Sequence, residues 1–514
     1  MSVLTANRPQ TRVTLRRFLL LLCLGGGIGT FVSLGLYVTK PAYVALLPFG
    51  LALVLSAAFV KDFRLYWFAI FLLSLQFQIF KNLNDGVAVI NALGATVDYT
   101  IYNFTFQITA TDLALLVLLA IWANDVIFRA KPVRFPPITW LAVGYLGTSL
   151  LSIVGAKSAY LGFVEIWQQI KYFIVYLFAV NCLDTKSVGR VLAAVGVVIL
   201  VTQAGTTALR YETGDISPLV FGETYQDLSQ AAQYLTMDSS ADQSIVRAFG
   251  TLGSPGTTVK LCMMVLPFAL FLCVRNAMFR MQVLFAALTG FGLLGLILTF
   301  TRVYYIMATV ECVLAFLLMI RDRLLKREAV VLIVVLALAV IVAISPKLYE
   351  QFFTIREDAV SVRLLQYEAA ANMILAHPFL GVGLNNTTDQ KRNYLNLTVA
   401  PNDPNSEDFY REPTHNLYLS LASEIGVFGA LLFVAFFGRV TYVTWRYSRH
   451  CADPELRLVA NALVVAFFGI AVISMMDPLA EYPILVLLWL YAGISLNLPK
   501  MTGSQEVIGS KLTR

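Results

Sequence analysis

Apolar runs of about twenty residues, separated by short polar connectors, set the pattern of this chain. Runs of that length suit helices that cross a bilayer, whereas barrel strands would alternate apolar and polar positions. Spans are expected near 17–38, 42–60, 63–80, 111–128, 137–155, 163–183 and 188–208, then near 255–274, 281–300 and 303–320. The last four are expected near 329–345, 415–445, 458–475 and 484–498. The fold class is therefore all-α, a polytopic membrane protein with about 14 transmembrane helices. The pair 281–300 and 303–320 reads as a hairpin turning at Thr301-Arg302, because a single apolar run of that length is too long for one span.

Polar stretches interrupt the pattern at 81–110, 209–254 and 346–414. The third ends in Pro413-Thr414-His415-Asn416, directly before an apolar run that contains Gly426 and Gly429. Inside it, Ser361 to Leu375 reads as a helix with Ser361 as its N-cap, able to lie along the membrane interface. It is followed by a turn, Pro378-Phe-Leu-Gly381-Val-Gly383.

Composition agrees with the pattern. The chain is 58% hydrophobic and only 13% charged, against about 25% charged residues in soluble domains. The net charge of +7 would suggest a nucleic-acid partner in a soluble protein. Here Lys and Arg sit beside apolar runs, so no nucleic acid is expected and the charge reports topology instead. An inside N-terminus gathers Lys61/Arg64, Arg129/Lys131/Arg134, Lys186/Arg190, Arg275/Arg280, Arg321/Arg323/Lys326/Arg327 and Arg446/Arg449/Arg457 on the inner side. Both termini are then cytoplasmic and the three long polar stretches lie outside. Cys23, Cys182, Cys262, Cys273, Cys312 and Cys451 form no Cys-x-x-Cys pair, and neither a disulfide nor structural zinc is expected.

His415 sets an imidazole at the outer mouth of a span, where a water-filled site would meet the membrane. A lone histidine there is more often a hydrogen-bonded anchor than a catalyst. Gly426 and Gly429, three apart on the same helix, let a neighbour pack closely. Arg302 at the outer face could snorkel to lipid phosphates or hold a substrate phosphate; Arg363 is a second such cation. The planar guanidinium binds two oxyanion oxygens at once and keeps its charge. Asp403, Glu407, Asp408 and Glu412 read as a solvated acidic stretch, so no metal is expected. Lys171 and Lys260, inside or at the edge of spans, are functional candidates by position, with no partner visible in the sequence.

His415-Asn416, nine residues, then Gly426-x-x-Gly429 resembles the signature of the O-antigen ligase and polymerase superfamily. Three further segments are similar to motifs of that family: Arg247-Ala-Phe-Gly250 through Pro255, Thr299-Phe-Thr301-Arg302, and Arg363 through Pro378-x-x-Gly381-x-Gly383. The resemblance implies a membrane-embedded fold of the lipid-linked-sugar glycosyltransferase type, with a long periplasmic loop carrying short helices. It divides the chain into N-terminal helices 1–244, a ligase-like core 245–445, C-terminal helices 446–498 and a cytoplasmic tail 499–514. It also implies a metal-independent enzyme without cofactor, at the periplasmic face of the bacterial inner membrane; inversion is expected from direct displacement, since the sequence offers no candidate nucleophile for a covalent intermediate. The donor would be a glycan on undecaprenyl pyrophosphate; the acceptor would be another glycan or the lipid A core. Membrane lipids and polysaccharide-assembly proteins are the other partners implied. Catalysis would fall to His415, Arg302 and Arg363, with Arg247 and Asn416 joining the two arginines in substrate binding. Gly381, Gly383, Gly426 and Gly429 would be structural. A lipid-linked-oligosaccharide flippase or another transporter is the alternative that the spans alone allow.

Overall fold

The computed structural model describes residues 60, 62–77, 80–83, 106–214, 236–237, 245–246, 248–275, 279–324, 357–395, 413–479 and 481–501. Met1–Ile70 and Phe71–Arg514 are separate compact units. In the first, residues from Phe63 onward are helical, and Trp67 meets Phe63 and Tyr66 edge-on.

Among the described residues, eight helices are long and apolar enough to cross a membrane. In chain order the elements needed here are α1 (Phe63–Ser74), α2 (Ala110–Ile127), α3 (Thr139–Ser152), α4 (Ala159–Cys182) and α5 (Ser187–Thr213). They continue with α6 (Pro255–Arg275), α7 (Phe279–Ile297), α8 (Arg302–Arg321), α9 (Glu357–Ala376) and the single turn α10 (Thr387–Gln390). The last three are α11 (Leu417–His450), α12 (Pro454–Ile473) and α13 (Tyr482–Met501). Among the described residues the strands form two short antiparallel pairs, Phe80–Asn82 with Gln107–Thr109 and Thr236–Met237 with Ile245–Val246. The chain is therefore a predominantly helical, multi-span membrane protein. The spans expected near 17–38, 42–60 and 329–345 lie outside the described residues.

Local chemistry sets several helix ends. Thr109 and Asp112 form a reciprocal capping box at the start of α2. Asp453 caps α12 by accepting from the amides of Glu455 and Leu456, with Pro454 in the first turn. Gly214 closes α5 at φ +64°, a conformation glycine adopts without strain.

Two expectations need correction here. The span expected near 63–80 ends at Ser74, because Leu75, Gln76 and Phe77 tighten into i→i−3 bonds and the chain leaves the helix. Ser361 is inside α9 rather than its cap; the helix begins at Glu357, since no Gly or Pro between 357 and 361 stops it.

In the second unit α13 packs on α4, α6 and α7 on α5, and α11 on α3 and α12. An aromatic cluster fills the centre between α3, α4, α11 and α13. Phe436 stacks on Trp489 at 5.3 Å, and Tyr145 and Phe433 are also 5.3 Å apart. In lipid such contacts replace the hydrophobic effect as the force between helices.

The polar contacts gather at two opposite ends. One end holds Lys186 with Asp453, Arg190 with Glu455, Arg321 with Asn461, and Arg134 with Asn497. The other end holds His415, the Pro378–Gly383 turn, Lys260 with Asp477 and Glu481, and Arg210 with Phe249 and Gly250.

Candidate active site

His415 precedes α11, and Asn416 caps that helix by accepting from the Leu419 amide at 3.0 Å. The Asn416 amide group also donates to the Met475 carbonyl at 3.0 Å. Asn416, expected to bind substrate, thus spends both halves of its amide on the fold. Leu417 donates its amide to the Ser474 carbonyl at 2.8 Å and to that of Asp477 at 3.1 Å. The histidine is thereby fixed against the segment between α12 and α13.

The imidazole itself is held by α9. Its Nδ1 lies 3.0 Å from Gln366 Oε1, and the His415 backbone amide donates to the same oxygen at 3.2 Å. Tyr367 donates its hydroxyl to the His415 carbonyl at 3.0 Å. An amide oxygen only accepts, so this geometry places the proton on Nδ1 and leaves Nε2 as the basic nitrogen. Arg363 lies three residues before Gln366, on the same face of α9. One buried stripe of that helix, Gln366, Ala369, Ala370 and Met373, sits against α11. The structure therefore brings His415 together with the helix that carries Arg363.

Arg302 is the first residue of α8. The hairpin turn runs from Leu298 to Thr301, with Phe300 at φ +48° and the Tyr305 hydroxyl 2.5 Å from the Ile297 carbonyl. Phe300 meets Tyr211 at 5.7 Å, beside Arg210, which places the turn at the His415 end. Arg247 and the acidic run from Asp403 to Glu412 lie outside the described residues. Next to Arg247, the segment Phe249–Thr251 is stitched to α5. Arg210 donates to the carbonyls of Phe249 and Gly250, and Gln203 exchanges bonds with Thr251.

Gly426 departs from the sequence expectation. Gly426 is not in a continuous helix; at φ +79°, ψ 165° it breaks α11 into Leu417–Ile425 and Val427–His450. The Pro378–Gly383 turn clips into that break. Val382 and Gly383 donate to the carbonyls of Ser423 and Glu424 at 2.8 and 3.1 Å, and Val427 donates to Pro378 at 2.9 Å. The turn thus satisfies the carbonyls that end one half-helix and an amide that starts the next. Gly381 and Gly383 have φ +67° and +105°. A Cβ on Gly381 would collide with the Glu424 backbone, and one on Gly426 with Phe379. Gly429 is helical and faces Ile425 and Thr148, as a close-packing residue should.

Sequence reading missed Glu424. Its half-buried carboxyl accepts from the Asn385 amide at 3.1 Å and the Thr387 hydroxyl at 3.0 Å, tying α11 to the turn. A charge inside an apolar run was the available signal. The partners of the two lysines were also missed. Lys171 meets Asp112 at 3.0 Å, and Tyr482 donates to the other Asp112 oxygen at 2.5 Å. Lys260, 2% exposed, bridges Asp477 at 2.7 Å and Glu481. Burial raises the Glu481 carboxyl above its ordinary range despite the Lys260 ammonium, and Asp477 adds to the rise. These partners are 217 and 221 residues away from Lys260 in sequence, beyond the reach of any local motif.

Residues 284–434 match the family described as O-antigen ligase. That range contains Arg302, Arg363, both glycine pairs, His415 and Asn416; it excludes Arg247, Lys260, Asp477 and Glu481. Comparison with curated proteins gives no match.

Proposed function

We propose that this chain, a member of the O-antigen ligase and polymerase superfamily by the match over 284–434, transfers a glycan from undecaprenyl pyrophosphate to an acceptor sugar hydroxyl. The observation that carries the reading is the clasp between α9 and His415. It holds the His415 imidazole against Gln366, which stands one turn of α9 from Arg363. In this reading His415 accepts the proton of the acceptor hydroxyl as the hydroxyl attacks the anomeric carbon. Arg363 and Arg302 hold the pyrophosphate and stabilise the charge that builds as the sugar–phosphate bond breaks, a form of electrostatic catalysis. Direct displacement inverts the anomeric centre, and no metal takes part. The site faces the periplasm, with both chain ends in the cytoplasm. The acceptor is a lipid A core sugar or another repeat unit, and the ligase-like core of 245–445 carries the chemistry.

The test is donor binding and transfer by purified protein in nanodiscs. His415→Ala should bind the lipid-linked donor with near-normal affinity and lose roughly 10²–10⁴-fold in turnover. Arg302→Lys and Arg363→Lys keep charge but lose the two-oxygen fork, and should weaken both binding and rate. Wild-type turnover in His415→Ala would reduce the histidine to an interfacial anchor and end this reading. Loss of activity on chelation would reopen the Asp403–Glu412 run as a metal site.

A further inference from the structure

The polar stretch 346–414 reads from sequence as wholly outside the bilayer. Two helices, used as rulers, indicate otherwise for part of it. On α4, Asn385 donates its side-chain amide to the Leu161 carbonyl at 3.4 Å, and the Arg134 backbone amide bonds Asn181 at 2.6 Å. Twenty residues of helix separate Leu161 from Asn181, about 30 Å, the thickness of a hydrocarbon core. Asn385 and Arg134 thus mark opposite boundaries.

The second ruler is α11. Val427 donates to Pro378, so the turn is level with the break at Gly426. Thirteen residues on stands Arg439, exposed and 5.5 Å from the Tyr442 ring. Arg439 is one turn past Phe436, which meets Tyr176 at 5.5 Å, close to the Arg134 level. The turn is then only about 20 Å from the charged boundary on that side. It lies about 10 Å deeper than Asn385, within the leaflet on the His415 side.

Its side chains fit that depth. Leu375 is 79% exposed and Phe379 81%, with Leu380 exposed beside them. Phe428 and Leu431 on α11 and Val154 after α3 are exposed apolar residues as well. The chain that follows Leu380 is paired, as irregular backbone at that depth must be. Gly381 donates to His377, Val382 to Ser423, Gly383 to Glu424, Leu384 to Ser152 Oγ and Asn385 to the Glu424 carboxyl. His377, the polar residue between Leu375 and Phe379, bonds the Tyr394 hydroxyl at 2.7 Å.

We propose that Leu375–Leu380 is a re-entrant segment whose apolar side chains insert among the acyl chains of the bilayer. The clip at Gly426 anchors it to α11, so α9 and the His415 clasp are held at a fixed depth. The inference rests on the helices being membrane spans and is independent of the transfer reaction.

Nitroxide labels at Phe379→Cys, Leu431→Cys and Asn393→Cys, each in a folded background lacking the native cysteines, test it in nanodiscs by collision accessibility. The Phe379 label should favour oxygen over a water-soluble nickel chelate as strongly as the Leu431 label, and the Asn393 label should show the reverse. A Phe379 label with the nickel accessibility of Asn393 overturns the proposal. The unmodified protein gives a second measurement, through lipids bearing a diazirine near the acyl terminus. Adducts should map to Leu375–Leu380 as well as to Phe428–Leu431. Adducts on Phe428–Leu431 with none on Leu375–Leu380 also overturn it.

Discussion

Replacing Gly426 with alanine tests the clip that joins the turn to α11. At φ +79°, ψ 165° the residue occupies a region open essentially to glycine alone, where a side chain costs about 1–3 kcal/mol. The added Cβ would also overlap the carbonyl carbon and oxygen of Phe379, which are backbone atoms and cannot rotate away. Relief requires the turn to move off, weakening the bonds from Val382, Gly383 and Val427 at 2.8, 3.1 and 2.9 Å. Each is worth about 1 kcal/mol net. Straightening the helix escapes that strain and returns about 1 kcal/mol of propensity, which leaves a net loss of about 2 kcal/mol from the three bonds. Two controls bracket it. A Cβ on Gly429 meets the tip of Ile425 and Thr148 Oγ1 at 2.8 Å, side-chain atoms that can give, so Gly429→Ala should cost about 1 kcal/mol. Gly438 has nothing within 4 Å, so Gly438→Ala should be neutral or stabilising by up to about 1 kcal/mol. Reversible unfolding in mixed micelles measures the order. Hydrogen exchange at Val382, Gly383 and Val427 should rise in Gly426→Ala alone. If Gly426→Ala unfolds no more readily than Gly438→Ala, the clip does not constrain the helix break and the reasoning fails.

Other perturbations read different parts of the molecule. Lys260→Met removes the ammonium held between two half-buried carboxyls, Asp477 and Glu481, and should destabilise by about 3 kcal/mol in the same assay; adding Glu481→Gln should recover part of that loss. Gln366→Leu removes the acceptor at His415 Nδ1 without touching the imidazole, so turnover should fall about tenfold or more with donor affinity kept; unchanged turnover would show that the clasp does not orient the base. The Lys186 ammonium holds the Asp453 carboxyl below its ordinary range, so the pair stabilises above the unfolded carboxylate value of about 3.9 and that contribution fades as pH falls through the lower folded value. Thermal melts should accordingly drop on acidification below about pH 4 in the wild type and less in Asp453→Asn, which keeps the cap but not the charge.

The sequence by itself determined the class of molecule, because lipid forces every span to be long, apolar and helical. It also singled out His415, Arg363 and the glycine turn as candidates, since each breaks an otherwise featureless pattern. Gly381 and Gly383 were legible as turn residues because a positive φ has a residue signature. The reading failed where the cause was non-local. Gly426 looks the same in sequence whether it permits close packing or breaks a helix; only the arrival of Phe379 decides between them. The run 63–80 is apolar enough to span, yet ends at Ser74. Asn416 enters the site only through the resemblance, and its service as a cap and a tether was not visible in the sequence. Glu424, Lys171 and Lys260 announce themselves as charges in apolar surroundings, but their partners come from other helices. Hydrophobic pattern is written residue by residue along the chain, whereas the pairing of buried charges and the meeting of two glycine turns exist only once the helices have packed.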